Sequence, residues 1–405
     1  MYRVLRIVLR NLSKQQYQTL ERLTYFSKNT YNNMLYALRN DLLDNKGSLE
    51  TKLYRYARSR DDGRMLYSQS VQKMAKDIII TLKNNGKHAL KYHPKDGHRS
   101  VVWKNQSLKL KNNVLRLPLT KDFVQRYSLF SKWLEFKVPT WLKGYKIVEA
   151  IIIPKLNAKY FELHVIYKVS QTHVQTSSSK IMGIDLGVDN FATVVISDGT
   201  AVIIDGRKAK SINRWYNKEK ARLQSIYTKQ GIKTGKKFIV LSKRRYNWMF
   251  NFVHQAAAQV IKIAIKHNVS KIAIGTNKNW KKKVNIGKQN NQNFVMLPHS
   301  WFKNVLKHKA ALCGIEVIET DEAYTSKADA LALEPIRKQE TYLGKRKHRG
   351  LYISSTGVAI NADVNGAINI ARKAFGDESW KSIPESLLGI GGRGRLTRPL
   401  RIRVV

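Results

Sequence analysis

Three carboxylates, Asp185, Glu322 and Asp363, stand in settings where an ionised oxygen needs company. Asp185 lies in the apolar run KIMGIDLG, Glu322 closes GIEVIETDE, and Asp363 opens the Ala-rich NADVNGAINIARK. An unpaired carboxylate within a buried strand is costly unless a cation or a metal neutralises it. Magnesium is hard, takes oxygen ligands and keeps some waters, so a few carboxylates suffice. Two such ions can activate an attacking water and stabilise the leaving oxygen of a phosphodiester. Plainer readings stand beside this one: Asp185 pairs with a lysine, and Asp363 serves as a helix cap. A triad chosen from 28 acidic residues is by itself a weak signal.

The elements that would position these groups follow in order. Lys180 to Ile196 reads as a hairpin with Asp185 on its first strand, interrupted by Gly187 and Asn190. Ile212 to about Lys266 has helical periodicity broken near Gly231 to Gly235, with His254 a helix-face contact and not a metal ligand. A strand at Lys271 to Gly275, a helix from His299 to Leu312, a strand from Gly314 to Glu322 and a helix after Asn361 complete the set. These are the ingredients of an RNase H-like α/β layer, where such carboxylates converge on one edge of the sheet.

The first half differs. Met1 to Leu9 alternates as a strand, Ser13 to about Leu90 is helical, and Tyr92 to Val169 is again β in pattern, with a turn at Asn112-Asn113. Gln69, Gln72 and Lys76 lie between the apolar positions of a helix. Such side chains either face solvent or read base edges.

Charge decides the partner class. The chain carries 74 Lys plus Arg against 28 Asp plus Glu, a net +46, which calls for a polyanion. No apolar run is long enough to span a membrane and no signal peptide or lipidation site is seen, so a cytoplasmic protein bound to nucleic acid is expected. The loop TNKNWKKKVNIGKQNNQNF, with Trp280, Lys281 and Lys282, suits phosphate contact and base stacking. GKRKHRG, with Arg346 and Arg349, reads equally as a nucleic-acid contact or a solvated loop. Cys313, the single cysteine, excludes an internal disulfide and any Cys-based zinc site, and its neighbourhood AALCGIEVI reads as core. The Gly- and Arg-rich segment 376–405 is expected to have no fold of its own.

Several separate stretches, IMGIDLGVDNFATVV, IGTNKNWKK with QNNQNF, DEAYTSKADAL and GKRKHRGLYISSTGVAINADVNGAINIARK, occur in the order seen in one family. Over Lys180 to Lys373 the chain resembles TnpB, the RNA-guided DNA nuclease of IS200/IS605-type transposons, related to type V CRISPR effectors. The resemblance implies a RuvC (RNase H-like) nuclease domain at 177–375, a small β-barrel-like wedge domain at 1–12 and 91–176, and a helical recognition domain at 13–90. It makes Asp185 the first carboxylate of the site and Asp363, in NADVNG, the third.

Two departures bear on that assignment. Many members carry a Glu at the end of the strand matching KIAIG, where this chain has Gly275. One branch places it in an E-x-Y-T-S-K setting on the next strand, which Glu322 to Lys327 matches, so Glu322 is taken as the relocated second carboxylate. Glu319 and Asp321 compete locally, and strand alternation puts both on the face opposite Glu322. The zinc ribbon of many relatives has no counterpart: 328–350 is a basic insert without cysteine, to be held by packing or by nucleic acid.

The implied activity is RNA-guided DNA cleavage by two magnesium ions held by Asp185, Glu322 and Asp363, with no zinc. The implied partners are an element-encoded guide RNA and double-stranded target DNA with an adjacent motif. The protein is expected to be a monomer in a prokaryotic cytoplasm, at the nucleoid when on DNA. The alternatives are a nuclease-inactive RNA-guided DNA-binding repressor on the same scaffold, a general RNA-binding nucleoprotein and, less favoured, a transposase.

Overall fold

Strand and helix patterns sort the chain into two compact units in a computed structural model, Met1–Ser170 and Gln171–Val405. It describes residues 1–170, 180–232, 235–276, 297–348, 350–381 and 396–404. Trp280, Lys281, Lys282 and Arg349 lie outside the described residues.

In the first unit the alternating N-terminal segment forms β1 (Tyr2–Leu9). Ser13 then caps α1 (Lys14–Arg39) in a closed capping box: Gln16 N donates to Ser13 Oγ at 3.1 Å, and Ser13 N donates to Gln16 Oε1 at 3.0 Å. With α2 (Leu49–Ser59), α3 (Asp61–Arg64) and α4 (Ser68–Asn85), α1 buries an apolar stripe that includes Leu20, Leu23, Met34, Leu53, Val71 and Met74.

The β part of this unit follows. After β2 (Val101–Lys104) come β3 (Lys109–Lys111) and β4 (Val114–Pro118), whose turn at Asn112-Asn113 has both residues left-handed, φ 49° and 60°, a conformation asparagine tolerates. The helix α5 (Lys121–Arg126) and strand β5 (Trp133–Lys137) follow, and β6 (Lys146–Lys155) pairs with β7 (Tyr160–Lys168). The two sheets run β1-β7-β6-β2 and β3-β4-β5, so the opening strand pairs with the last strand of its unit.

The second unit holds the candidate site. Its strands and helices are β8 (Ile181–Leu186), β9 (Asn190–Ile196), β10 (Ala201–Asp205), α6 (Arg207–Lys229), α7 (Lys236–Lys266), β11 (Lys271–Thr276), α8 (His299–Leu312) and β12 (Glu316–Asp321). There follow β13 (Lys345–His348), β14 (Leu351–Ile353), β15 (Ala359–Asn361), α9 (Ala362–Phe375) and β16 (Leu400–Ile402). The main sheet has the order β12-β11-β8-β9-β10-β16, with β8 central, parallel to β11 and antiparallel to β9. Both faces are covered. Met182, Ile184 and Leu186 join a core with Phe252, Ala256 and Val260 of α7 and Phe302 and Leu306 of α8. Ile181, Val195 and Ala273 face a second core with Ile368 and Ala371 of α9.

The C-terminal expectation needs correction. Within 376–405, Trp380, Leu396 and Val404 are buried, and β16 pairs in parallel with β10, Val202 opposite Leu400 and Ile204 opposite Ile402. The apolar residues among the arginines close the sheet edge, and composition alone hid them. Cys313 is half-buried at the end of α8 and packs against the α7/α8 core.

Candidate nuclease site

Asp185 is aimed by strand alternation. Its neighbours Ile184 and Leu186 point to the α7/α8 core, so Asp185 and Gly183 face α9. Gly183 lets that helix approach: a Cβ there would stand 2.0 Å from the carbonyl oxygen of Ala367. Three residues after Asp363 on α9, Gly366 passes so close that an added Cβ would be 3.0 Å from Asp185 Oδ2. Residues three apart share a helix face, so Asp363 lies on the side of α9 turned to Asp185. The helix cap is Asn361, whose Oδ1 accepts from the backbone N–H of Asp363 at 2.9 Å, which leaves the Asp363 carboxylate free of capping duty. Instead Asp363 Oδ2 accepts from Asn190 Nδ2 at 2.6 Å.

Glu322 reaches the same face by an indirect route. Ile274 pairs with Ile184, so Gly275 and Asp185 are the next residues along β11 and β8. The side chain of Glu322, one residue beyond β12, lies over Gly275, where a Cβ would meet Glu322 Oε1 at 2.4 Å and Ile370 Cδ1 at 2.7 Å. Glu322 thus fills the space above Gly275. Its competitors are engaged elsewhere. Glu319 faces α8 and is clamped by Lys303 at 2.5 Å and Lys307 at 2.6 Å. Asp321 is exposed, and Lys373 of α9 reaches it at 3.2 Å. Alternation fits Glu319 but not Asp321, because the strand ends there and the chain turns.

Electrostatics ties Asp185 to the other two. The pKa of Asp185 is raised well above the ordinary carboxylate range, by burial first and then by the charges of Asp363 and Glu322, against the Leu186 N–H and Arg346. Glu322 is pushed up to about 7, again by burial first, with Lys303 opposing and Asp321 adding. Burial also acts on Glu319, but hydrogen bonds from Lys303 and Lys307 hold it down at about 2. Glu322 Oε1 is buried and has no hydrogen-bond partner. A buried carboxylate oxygen without a donor is a site short of positive charge.

Among the described residues, no group of three or more His, Cys, Asp or Glu side chains stands ready to hold a metal ion. The three carboxylates are neighbours without being a closed ligand cage. Arg346 on β13 is exposed yet near enough to Asp185 to lower its pKa. In the first unit Gln72 and Lys76 are exposed one turn apart on α4, whereas Gln69 donates to Gln106 Oε1 at 2.9 Å.

Sequence reasoning overlooked Asn190 as a partner of Asp363, since 173 residues separate them. It also overlooked the polar core of the basic insert. Asp329 is fully buried and accepts from the Leu331, Ala332 and Ser355 N–H groups and the Ser354 and Ser355 hydroxyls. Glu334, also buried, accepts from the N–H groups of Asp329 and Leu343 and from Gln339 Nε2.

Comparison with known proteins agrees with this layout. Residues 164–281 match the family OrfB_IS605, described as a probable transposase, and residues 299–370 match the Cas12f1-like TNB domain. The TnpB-like protein ORF457 of Acidianus two-tailed virus is 28% identical over 211 residues, which cover 49% of this chain and 42% of the viral protein. The chain is thus similar to TnpB-like proteins over part of its length, and spans less than half of that viral relative. The chain is similar in fold to Cas12f1 in a cryo-EM Cas12f1–sgRNA–target DNA complex, at a TM-score of 0.60 and 15% identity over 89% of this chain and 83% of that one. No described helix is long and apolar enough to cross a membrane.

Proposed function

We propose that the chain is an RNA-guided DNA endonuclease whose cutting site is Asp185, Glu322 and Asp363. The observation that carries the reading is the shared field of the three carboxylates: the pKa of Asp185 is raised by both of the others, and Glu322 keeps a buried oxygen without a partner. That donor set suits a hard, oxygen-seeking dication. Magnesium, held as two ions by these three residues, would supply water activation and leaving-oxygen stabilisation. The chain's own part is to aim and to neutralise. Glu322 must give up the proton that burial favours, Asp363 keeps one oxygen on Asn190 and presents the other, and Arg346 offers a cation beside Asp185. Cleavage would leave a 5′-phosphate and a 3′-hydroxyl.

The partners are part of the proposal. A guide RNA would bind the basic surfaces and pair with the target, leaving the protein to read backbone and a short adjacent motif. The first unit would act as the wedge and recognition regions, and exposed Gln72 and Lys76 are of the types that contact bases and phosphates. The net charge of +46 supports polyanionic partners. The test is to express the protein with its native flanking DNA, sequence the copurified RNA, and assay cleavage of a randomised-motif library with Mg²⁺. Asp185→Ala is expected to abolish cutting and retain guided binding. Full cleavage by that variant, or no copurifying RNA, overturns the proposal.

A further inference from the structure

The C-terminal strand is tied to Asp363 through a single amide. Arg401, in β16, donates from Nη2 to Asn190 Oδ1 at 2.6 Å, and Asn190 Nδ2 donates to Asp363 Oδ2 at 2.6 Å. Arg401 is itself held, with Nη1 3.5 Å from Asp205 Oδ1. Asp205 is buried at the end of β10, and the Arg207 guanidinium grips both its oxygens, Nε at 3.0 and 3.1 Å and Nη2 at 2.6 Å. A continuous line of charged and amide groups therefore runs Asp205, Arg401, Asn190, Asp363.

The direction of this line matters chemically. A guanidinium can only donate, so Arg401 fixes which end of the Asn190 amide is oxygen. The amide NH₂ must then face Asp363. Without Arg401 the amide can turn and set its oxygen against the carboxylate, which repels it. With Arg401 in place, one Asp363 oxygen is occupied, and its plane is set.

We propose that Asn190 is a positioning residue for Asp363, that Arg401 sets its orientation, and that β16 is in this way part of the cutting site. The inference rests on the nuclease reading above. Removing an outer partner of a ligating carboxylate typically costs about 10–100-fold in metal affinity or activity.

The test uses the full chain with its copurified guide RNA. Asn190→Ala and Arg401→Gln are expected to cut at least about tenfold more slowly, to need several-fold more Mg²⁺ for half-maximal rate, and to bind guided target in EDTA within about twofold of the unsubstituted protein. Arg401→Lys, still a donor, is expected to recover part of the loss. Cutting by both first variants at the unsubstituted rate and Mg²⁺ requirement overturns the relay and leaves the nuclease reading intact. A matching loss of guided binding or thermal stability means a merely structural role and also overturns it. If the unsubstituted chain does not cut, the nuclease reading fails. The relay is then judged by Mn²⁺-induced thermal stabilisation without nucleic acid: a smaller shift in Asn190→Ala supports it, and an equal shift overturns it.

Discussion

Glu322 occupies the space above Gly275, with its Oε1 2.4 Å from where a Cβ on that glycine would be. The absence of a side chain at 275 and the presence of a carboxylate at 322 are one structural fact. Gly275→Ala would press on Glu322 Oε1 and Cγ, a side chain that can swing away, and on Ile370 Cδ1 in the buried core. The variant is therefore expected to fold with a loss of about 1–2 kcal/mol. Cleavage should drop on the order of 100-fold, since the carboxylate is displaced by an ångström or more. Gly275→Glu combined with Glu322→Ala should restore part of that activity. Parallel melting curves and cleavage assays decide the point, and an unaltered rate in Gly275→Ala would refute it.

Gly183 makes the opposite case. Its added Cβ would lie 2.0 Å from the Ala367 backbone oxygen, which moves only if α9 moves. Gly183→Ala is expected to destabilise the second unit by about 3 kcal/mol and to separate Asp363 from Asp185. Denaturant unfolding measures this, and a midpoint equal to that of Gly275→Ala would contradict it.

The pKa of Glu322, raised to about 7, fixes a sign for the effect of pH. Between about pH 4.5 and 7 the folded chain keeps a proton that the unfolded chain has released. Its contribution to stability is full at acid pH and is lost as pH rises through 7. In EDTA the unsubstituted protein should therefore lose up to about 3 kcal/mol relative to Glu322→Gln between pH 5 and 8. Asp185, shifted in the same direction, adds to the fall in both proteins. Urea titrations at several pH values test this, and parallel curves for the two proteins would exclude it. Cleavage should rise through the same window, because Glu322 must ionise to hold a metal.

Asp329 is predicted to be a keystone of the insert. Asp329→Ala leaves three N–H groups and two hydroxyls without their acceptor. A loss of about 3 kcal/mol is expected, roughly 6–12 °C in melting temperature for a unit of this size. Calorimetry checks it, and an unchanged transition would remove the assigned role.

The parts of this architecture that are local in sequence were readable. Asp185 sits in an apolar run and Asp363 at an Ala-rich helix start, so each announces its element. The helix His299–Leu312 and the turn at Asn112-Asn113 follow from periodicity and from the tolerance of asparagine for positive φ. Glu322 required the family resemblance, because its fit depends on an empty volume above Gly275 that no periodicity encodes. The bond from Arg401 to Asn190 joins residues 211 positions apart, and its strand hides among arginines that composition assigns to solvent. Asp329 and Glu334 look like loop carboxylates until the backbone donors around them are located.

Those two buried acids give the insert an unusual independence. Their partners are amide hydrogens, hydroxyls and a glutamine, all covalently part of the chain, and none can be stripped by a competing chelator or spoiled by an oxidant. A domain stapled by thiolates and an ion folds only where trace metal is in supply and sulfur stays reduced. The hydrogen bonds of Asp329 and Glu334 draw on neither resource. A chelator should therefore leave this part of the fold intact, so under the proposed function starvation for divalent ions would pause cleavage without dismantling the insert.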